Sequence, residues 1–298
     1  GMNHLGELTR LCEIAEPNIV VVTNVGRAHI GELGSQEKIA QAKEEIYKAS
    51  GPETVQIFNL DNEWTMAMQA RSKAQQIKYS SFNNMADVYM RAERLTWDGL
   101  DLTGHIRGIP GHTFVKVLGR QNTANLMCAS AIGLAVGMDP DSIWDALATI
   151  QDSAWGRNQM VPLSNGARVL FDAYNANPDS MSVLLKNLFE MDVKGRKFFV
   201  AGDMKELGTF SEDAHEEIGE RAGGIGFEGI WYVGEFANAF ARGLAKSHKP
   251  KIFLSSASAD PQTAKEFAKN FVAGDLVAVK GSRGMHLETA VESWPLKA

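Results

Sequence analysis

The chain has 298 residues, 44% of them hydrophobic and 22% charged, with a net charge of −6 spread over mixed signs. That is room for two domains with cores of their own; it argues against a nucleic-acid footprint, and no apolar run approaches the roughly 18–20 residues of a membrane-crossing helix. Gly1-Met2-Asn3-His4 lacks the regions of a signal peptide, and two cysteines, Cys12 and Cys128, are too few for a disulfide framework, so a reducing, cytoplasmic setting is expected.

In the first half, Asn18 to Thr23 (NIVVVT) is a continuous apolar run rich in β-branched residues and reads as a buried strand. Ser35 opens a helix to about Ala49, with Glu37 in the first turn, where a carboxylate meets the positive end of the helix dipole. Ile39, Ala42, Ile46 and Tyr47 share its apolar face. Val55 to Phe58 is a second strand, followed by a turn at Asp61-Asn62. From about Asp87 to Leu118, short alternating runs, Leu100 to Thr103 and Thr113 to Leu118 among them, predict antiparallel hairpins. A small-residue helix spans Asn122 to Val136 and stops at Gly137. Asp139-Pro140, a cap followed by proline at the first helical position, opens another to about Ile150.

The second half is more regular. Strand-like runs at Val169–Phe171, Lys197–Ala201, Ile230–Val233, Ile252–Leu254 and Leu276–Val279 alternate with helical stretches, the pattern of a parallel, doubly wound α/β sheet. The change of pattern puts a boundary near Ser153 to Arg157. Such sheets gather ligands at the carboxyl ends of their strands. Here those ends read Asp172, Gly202-Asp203, Gly234-Glu235, Ser255-Ser256 and Lys280-Gly281-Ser282-Arg283.

Lys43 stands four positions after Ile39 and three before Ile46, so it lies on the buried side of its helix. Either it snorkels along the edge of that face, or it belongs to a metal and phosphate site with the loop Thr23-Asn24-Val25-Gly26-Arg27-Ala28-His29. Taken alone, His29 reads as a hydrogen-bonded structural histidine before it reads as a ligand. His215 and His286 read as solvated positions on helices.

The order of motifs adds to this. Asn3 through Glu7, Thr23-Asn24 through His29, Gly34-Ser35, Ala42 through Ile46, Gly119 through Asn125, Trp155-Gly156-Arg157, Asp172 through Met181, Gly202 through Gly208 and Lys280 through Met285 together resemble the Mur ligases. The resemblance implies an ATP- and Mg2+-dependent α/β enzyme. Residues 1–154 would be part of its central ATP-binding domain and residues 155–298 its Rossmann-like C-terminal domain. By that resemblance His29 binds magnesium, and Lys43 is carbamylated and helps to hold the metal. An ammonium ~4 Å from a metal would repel it by about 4 kcal/mol per unit of metal charge at an effective dielectric of ~20. A carbamate offers instead the anionic oxygen that magnesium prefers.

The resemblance also implies that Asn122 and Asn125 contact adenine, whose edge suits the donor and acceptor of an amide; helix capping is the other reading of Asn122. Gln121 departs from the pattern, standing where one branch of these ligases commonly has histidine. Arg157, with five donors in a fixed fork, would reach the nucleotide phosphates, and Asp172 would accept from the ribose hydroxyls. Lys43, His29 and Arg157 are the catalytic candidates. His4 would lie near a UDP-sugar-peptide, and Asn175, Lys280 and Ser282 near D-alanyl-D-alanine or the phosphate.

The implied reaction passes the ATP γ-phosphate to a tripeptide carboxylate, and the dipeptide amine then attacks the acyl phosphate. No G-x-x-x-x-G-K-[ST] phosphate loop occurs among these residues. In the family it lies ahead of the stretch that Gly1 begins, so the chain by itself is expected to lack ligase activity. Two other readings stay open. Tyr174 through Asn177 and Gly202-Asp203-Met204 speak against another amino-acid-adding or folylpolyglutamate-type ligase. A non-catalytic chain that binds nucleotide or a partner is supported by the missing loop.

Overall fold

Residues Gly1–Gln151 and Asp152–Ala298 form two separate units in the computed structural model, which describes every residue except 28, 29, 97, 151–154 and 298. The first unit runs α1 (Glu7–Ala15), β1 (Ile19–Val22), α2 (Ile30–Leu33), α3 (Gln36–Lys48), β2 (Val55–Asn59), α4 (Glu63–Arg71) and β3 (Gln76–Ser80). It continues with β4 (Val88–Leu95), β5 (Leu100–Ile106), β6 (Ile109–Val115), α5 (Asn122–Ala135) and α6 (Pro140–Thr149). Its strands lie in chain order. β1 to β4 pair in parallel and β4 to β6 antiparallel, so the predicted hairpins form the far half of the sheet. Arg107 and Gly108, both at positive φ, make the two-residue turn between β5 and β6.

Strand alternation divides the burial between the two faces of this sheet. Val20, Val22 and Phe58 pack with Ile39, Ala42 and Tyr47 of α3. Their neighbours Ile57, Ile77 and Tyr79 pack with Leu126, Met127 and Ala131 of α5. Ser35 caps α3 by accepting from the Lys38 N–H, and the Tyr47 hydroxyl pins the helix to the sheet. That hydroxyl accepts from the Val22 N–H at 2.8 Å and donates to the Ile57 carbonyl at 2.7 Å.

The second unit runs β7 (Gln159–Pro162), β8 (Arg168–Phe171), α7 (Pro178–Glu190), β9 (Lys197–Gly202), α8 (Ser211–Gly223), β10 (Gly229–Val233) and α9 (Ala237–Ala245). It ends with β11 (Ile252–Ser256), α10 (Pro261–Ala268), β12 (Leu276–Lys280) and α11 (Glu288–Glu292). The sheet order is β11-β10-β9-β12-β8-β7, parallel except for β7. Thus the five predicted strands form as a parallel sheet. The antiparallel edge strand β7 is additional; its three half-exposed residues are followed by an exposed proline and carry little strand pattern. β10 and β12 are buried along their whole length, as central parallel strands covered on both faces must be. Asn177 and Ser180 form a reciprocal capping box on α7, with Pro178 in its first turn.

Candidate active site

In the first unit Lys43 lies where α3 passes the carboxyl end of β1. With Met2, Leu8, Val21, Val22, Thr23 and Ile46 it lines a cleft of about 230 Å³. Burial pushes its pKa below the ordinary lysine value, because the charged form loses hydration. Among the described residues no hydrogen bond or ion pair engages its ammonium. The lysine therefore has the predicted half-buried place, with free space beside it.

The loop after β1 is held by four side chains. The Thr23 carbonyl accepts from Asn59 Nδ2 at 2.8 Å and from the Tyr79 hydroxyl at 3.3 Å. The Val25 carbonyl accepts from Asn62 Nδ2 and Gln36 Nε2, each at 3.2 Å. His29 lies outside the described residues. Among those described, no group of three or more His, Cys, Asp or Glu side chains is arranged to hold a metal.

His4 is exposed in the turn before α1, its Nδ1 2.8 Å from Glu7 Oε1. Hydrogen bonds from the Asn3 N–H and from His4 lower the Glu7 carboxyl to about 2. His4 is not among the residues that line the Lys43 cleft. Asn122 opens α5 but does not cap it: Gln121 holds the cap position, and Asn122 Nδ2 donates backwards to the Leu118 carbonyl at 2.7 Å. The capping reading is therefore wrong, because Asn122 is already inside the helix. Asn125 Nδ2 donates to Asn122 Oδ1 at 2.9 Å, so the two amides stand together. Between them in sequence the Thr123 hydroxyl is buried without a partner among the described residues.

In the second unit the strand ends bring four of the named residues together. Lys280, only 2% exposed, donates to Asp172 Oδ2 at 2.6 Å and to the Asn175 carbonyl at 3.0 Å. Asp172 Oδ1 accepts from the Asn158 N–H at 3.2 Å. The Ser282 hydroxyl donates to the Ala176 carbonyl at 3.3 Å and accepts from the Lys205 N–H at 2.9 Å. The contacts of Lys280 and Ser282 exist because β12, last in the chain, inserts between β8 and β9. Beside them the Arg157 guanidinium lies 4.1 Å from the Tyr174 ring centroid, and that of Arg283 4.7 Å from the Trp155 centroid.

His215 corrects an expectation. It is 1% exposed rather than solvated, with its ring stacked on Phe236 at 4.4 Å. Nε2 accepts from the Met204 N–H at 2.9 Å, and Nδ1–H donates to the Ser211 carbonyl at 2.7 Å. A neutral ring with both nitrogens engaged can be buried, and burial lowers its pKa. Its spacing three residues before Ile218, on the apolar side of α8, was the available signal. His286 is exposed as expected, but it follows a 3-10 turn at positive φ and is not helical.

Two known families match the chain in succession. The Mur ligase middle domain matches residues 1–133, and the glutamate ligase domain of Mur ligases matches residues 156–283. The UDP-N-acetylmuramoyl-tripeptide–D-alanyl-D-alanine ligase of Bacillus subtilis (strain 168) is 30% identical over 292 residues, covering 98% of this chain and 62% of the relative. Among solved structures, a crystal structure of MurF from Acinetobacter baumannii superposes with a TM-score of 0.85 at 28% identity, covering 98% of this chain and 62% of that one. The MurF ligase of Thermotoga maritima, solved in complex with ADP, shares the fold with a TM-score of 0.82 at 24% identity, over 98% of this chain and 64% of that one. The chain thus spans somewhat under two thirds of the length of these proteins.

Proposed function

The chain belongs to the Mur ligase family, and from that premise we propose that it is the nucleotide- and amine-handling part of a ligase that adds D-alanyl-D-alanine to UDP-N-acetylmuramoyl-tripeptide in peptidoglycan synthesis. The observation that carries this reading is the meeting of Asp172, Asn175, Lys280 and Ser282 at one edge of the sheet, where Lys280 and Asp172 pair across 108 residues of chain. ATP and Mg2+ are the proposed cofactors, the UDP-sugar-peptide and the dipeptide the substrates, and the cytoplasm the setting.

Each residue suits a definite task. Burial lowers the pKa of Lys43, which favours its neutral amine. A neutral amine can add to CO2, forming an N–C bond and releasing a proton, and the resulting carbamate exchanges a positive charge for anionic oxygen. That carbamate and His29 would hold Mg2+, which when bound offsets charge on the phosphates. Arg157 would meet the transferred phosphate, and its stacking on Tyr174 orders the guanidinium in advance. Asn122 and Asn125 would read adenine with their paired amides.

Asp172 has about four acceptor sites. Lys280 and the Asn158 N–H occupy two of them, which leaves capacity for a ribose hydroxyl. Lys280 and Ser282, committed to internal partners, would act by holding Asp172 and the Asn175-Ala176 carbonyls in place. Catalysis of this kind is positioning and charge neutralisation.

Fusing the chain behind the preceding portion of the B. subtilis relative tests the assignment. The chimera should release phosphate from ATP only when both tripeptide precursor and D-alanyl-D-alanine are present. Release supported by single amino acids but not by the dipeptide would refute the substrate, and a well-folded chimera without turnover would refute the activity.

A further inference from the structure

Asp203, the residue after β9, has no part in the assignments above. Its side chain is fully buried, whereas its ion-pair partner Lys205 is 47% exposed. Asp203 Oδ1 accepts from the Tyr232 hydroxyl at 2.8 Å and from the Phe236 N–H at 3.3 Å. Oδ2 accepts from the Glu235 N–H at 3.0 Å and from the Lys205 ammonium at 3.3 Å. The Asp203 carbonyl accepts from the Ser282 N–H at 2.9 Å, and Ser282 in turn holds the Lys205 N–H and the Ala176 carbonyl. The space for this carboxylate depends on Gly234, whose φ is +137° and where a Cβ would lie 2.1 Å from Asp203 Oδ1.

One side chain therefore stands where the loops after β9 and β10 meet, and its own backbone reaches the loop after β12. A hydrophobic residue could fill this space, but it would leave two backbone N–H groups and a tyrosine hydroxyl without acceptors, each a costly loss when buried. We propose that Asp203 is a positioning residue. It holds the Met204–Lys205 and Gly234–Phe236 loops, and through Ser282 the Asn175–Ala176 edge, in a single register. That this edge takes D-alanyl-D-alanine rests on the function proposed above; that Asp203 sets its geometry does not.

Asp203→Asn preserves shape but turns one acceptor into an NH2 group facing N–H donors. In native-state hydrogen exchange on this chain, the amides of Lys205, Glu235, Phe236 and Ser282 should exchange about tenfold faster or more, while those of α7 and α10 stay within about twofold. The Kd for D-alanyl-D-alanine should rise by a similar factor, about tenfold. Tyr232→Phe removes one neutral donor and keeps the carboxylate. It should speed the same four amides by a smaller factor, and it carries the test if Asp203→Asn does not fold.

Uniform acceleration throughout the second unit would mean a merely structural carboxylate and overturn the proposal, as would unchanged exchange at the four amides. Equal dipeptide affinity in the native chain and Asp203→Asn would overturn it as well. If the native chain does not bind the dipeptide while the four amides respond as stated, the substrate reading fails and the positioning role stands.

Discussion

Replacing Lys280 by methionine keeps the length of the side chain and removes its charge and its donors. In the native structure the ammonium supplies a 2.6 Å hydrogen bond to Asp172 Oδ2 and a 3.0 Å bond to the Asn175 carbonyl. A net hydrogen bond to a charged group is worth about 1.5–3 kcal/mol and one to a carbonyl about 1 kcal/mol. Breaking a buried pair by removing one partner costs about 3–5 kcal/mol. Asp172 keeps the Asn158 N–H and its side chain is 15% exposed, so water relieves part of the loss. The expected destabilisation of the second unit is therefore at the low end, about 3 kcal/mol. With a urea m-value of ~2 kcal/mol/M, the unfolding midpoint falls by about 1.5 M. Urea titration read through exchange of the β8 and β12 amides isolates this unit. Asp172→Asn and the double variant complete a cycle whose coupling should be about 1 kcal/mol or more. A loss below about 1 kcal/mol for Lys280→Met, or additive single variants, would refute the argument that this pair holds the strand ends together.

Asp275 is 1% exposed, and burial alone would raise its carboxyl. The Arg196 guanidinium and the N–H groups of Val272 and Arg196 outweigh burial and hold it below its ordinary 3.8. Its stabilisation is full above that unfolded value and is lost as pH falls through the lower folded one, so Asp275→Asn should flatten the acid limb of thermal stability below about pH 4; an unchanged limb would remove Asp275 from the account. Gly234→Ala combines an unfavourable φ with a methyl group driven onto the Asp203 carboxylate and should cost about 3 kcal/mol in denaturant unfolding; a neutral effect would contradict the geometry. Lys43→Ala in the ligase-competent chimera should abolish turnover, and added short carboxylates should restore part of it by supplying the missing anionic oxygens. Absence of rescue, with Lys43 unmodified by mass in the metal-loaded protein, would rule out the carbamate.

Much of this molecule is readable from neighbouring residues, because periodicity and capping are properties of contiguous sequence. The apolar run that became β1, the Ile39-Ala42-Ile46-Tyr47 face of α3, the Asp139-Pro140 start of α6 and the alternation in the second half all carry their signals locally. So does Lys43, whose half-buried position follows from helical spacing alone. Weakly patterned elements were not legible: α4 buries only Thr65 and Met68, and β7 is held by pairing with β8 and not by a pattern of its own. Asn122 looked like a cap because side-chain type does not reveal on which side of a helix start a residue falls. His215 looked solvated because only its tertiary partners, the Met204 N–H and the Phe236 ring, make burial of an imidazole tolerable. Strand order was decided by tertiary structure alone. Periodicity says that a strand exists, not which strand lies beside it, and the insertion of β12 between β8 and β9 is what sets Lys280 against Asp172 and Ser282 against Asp203.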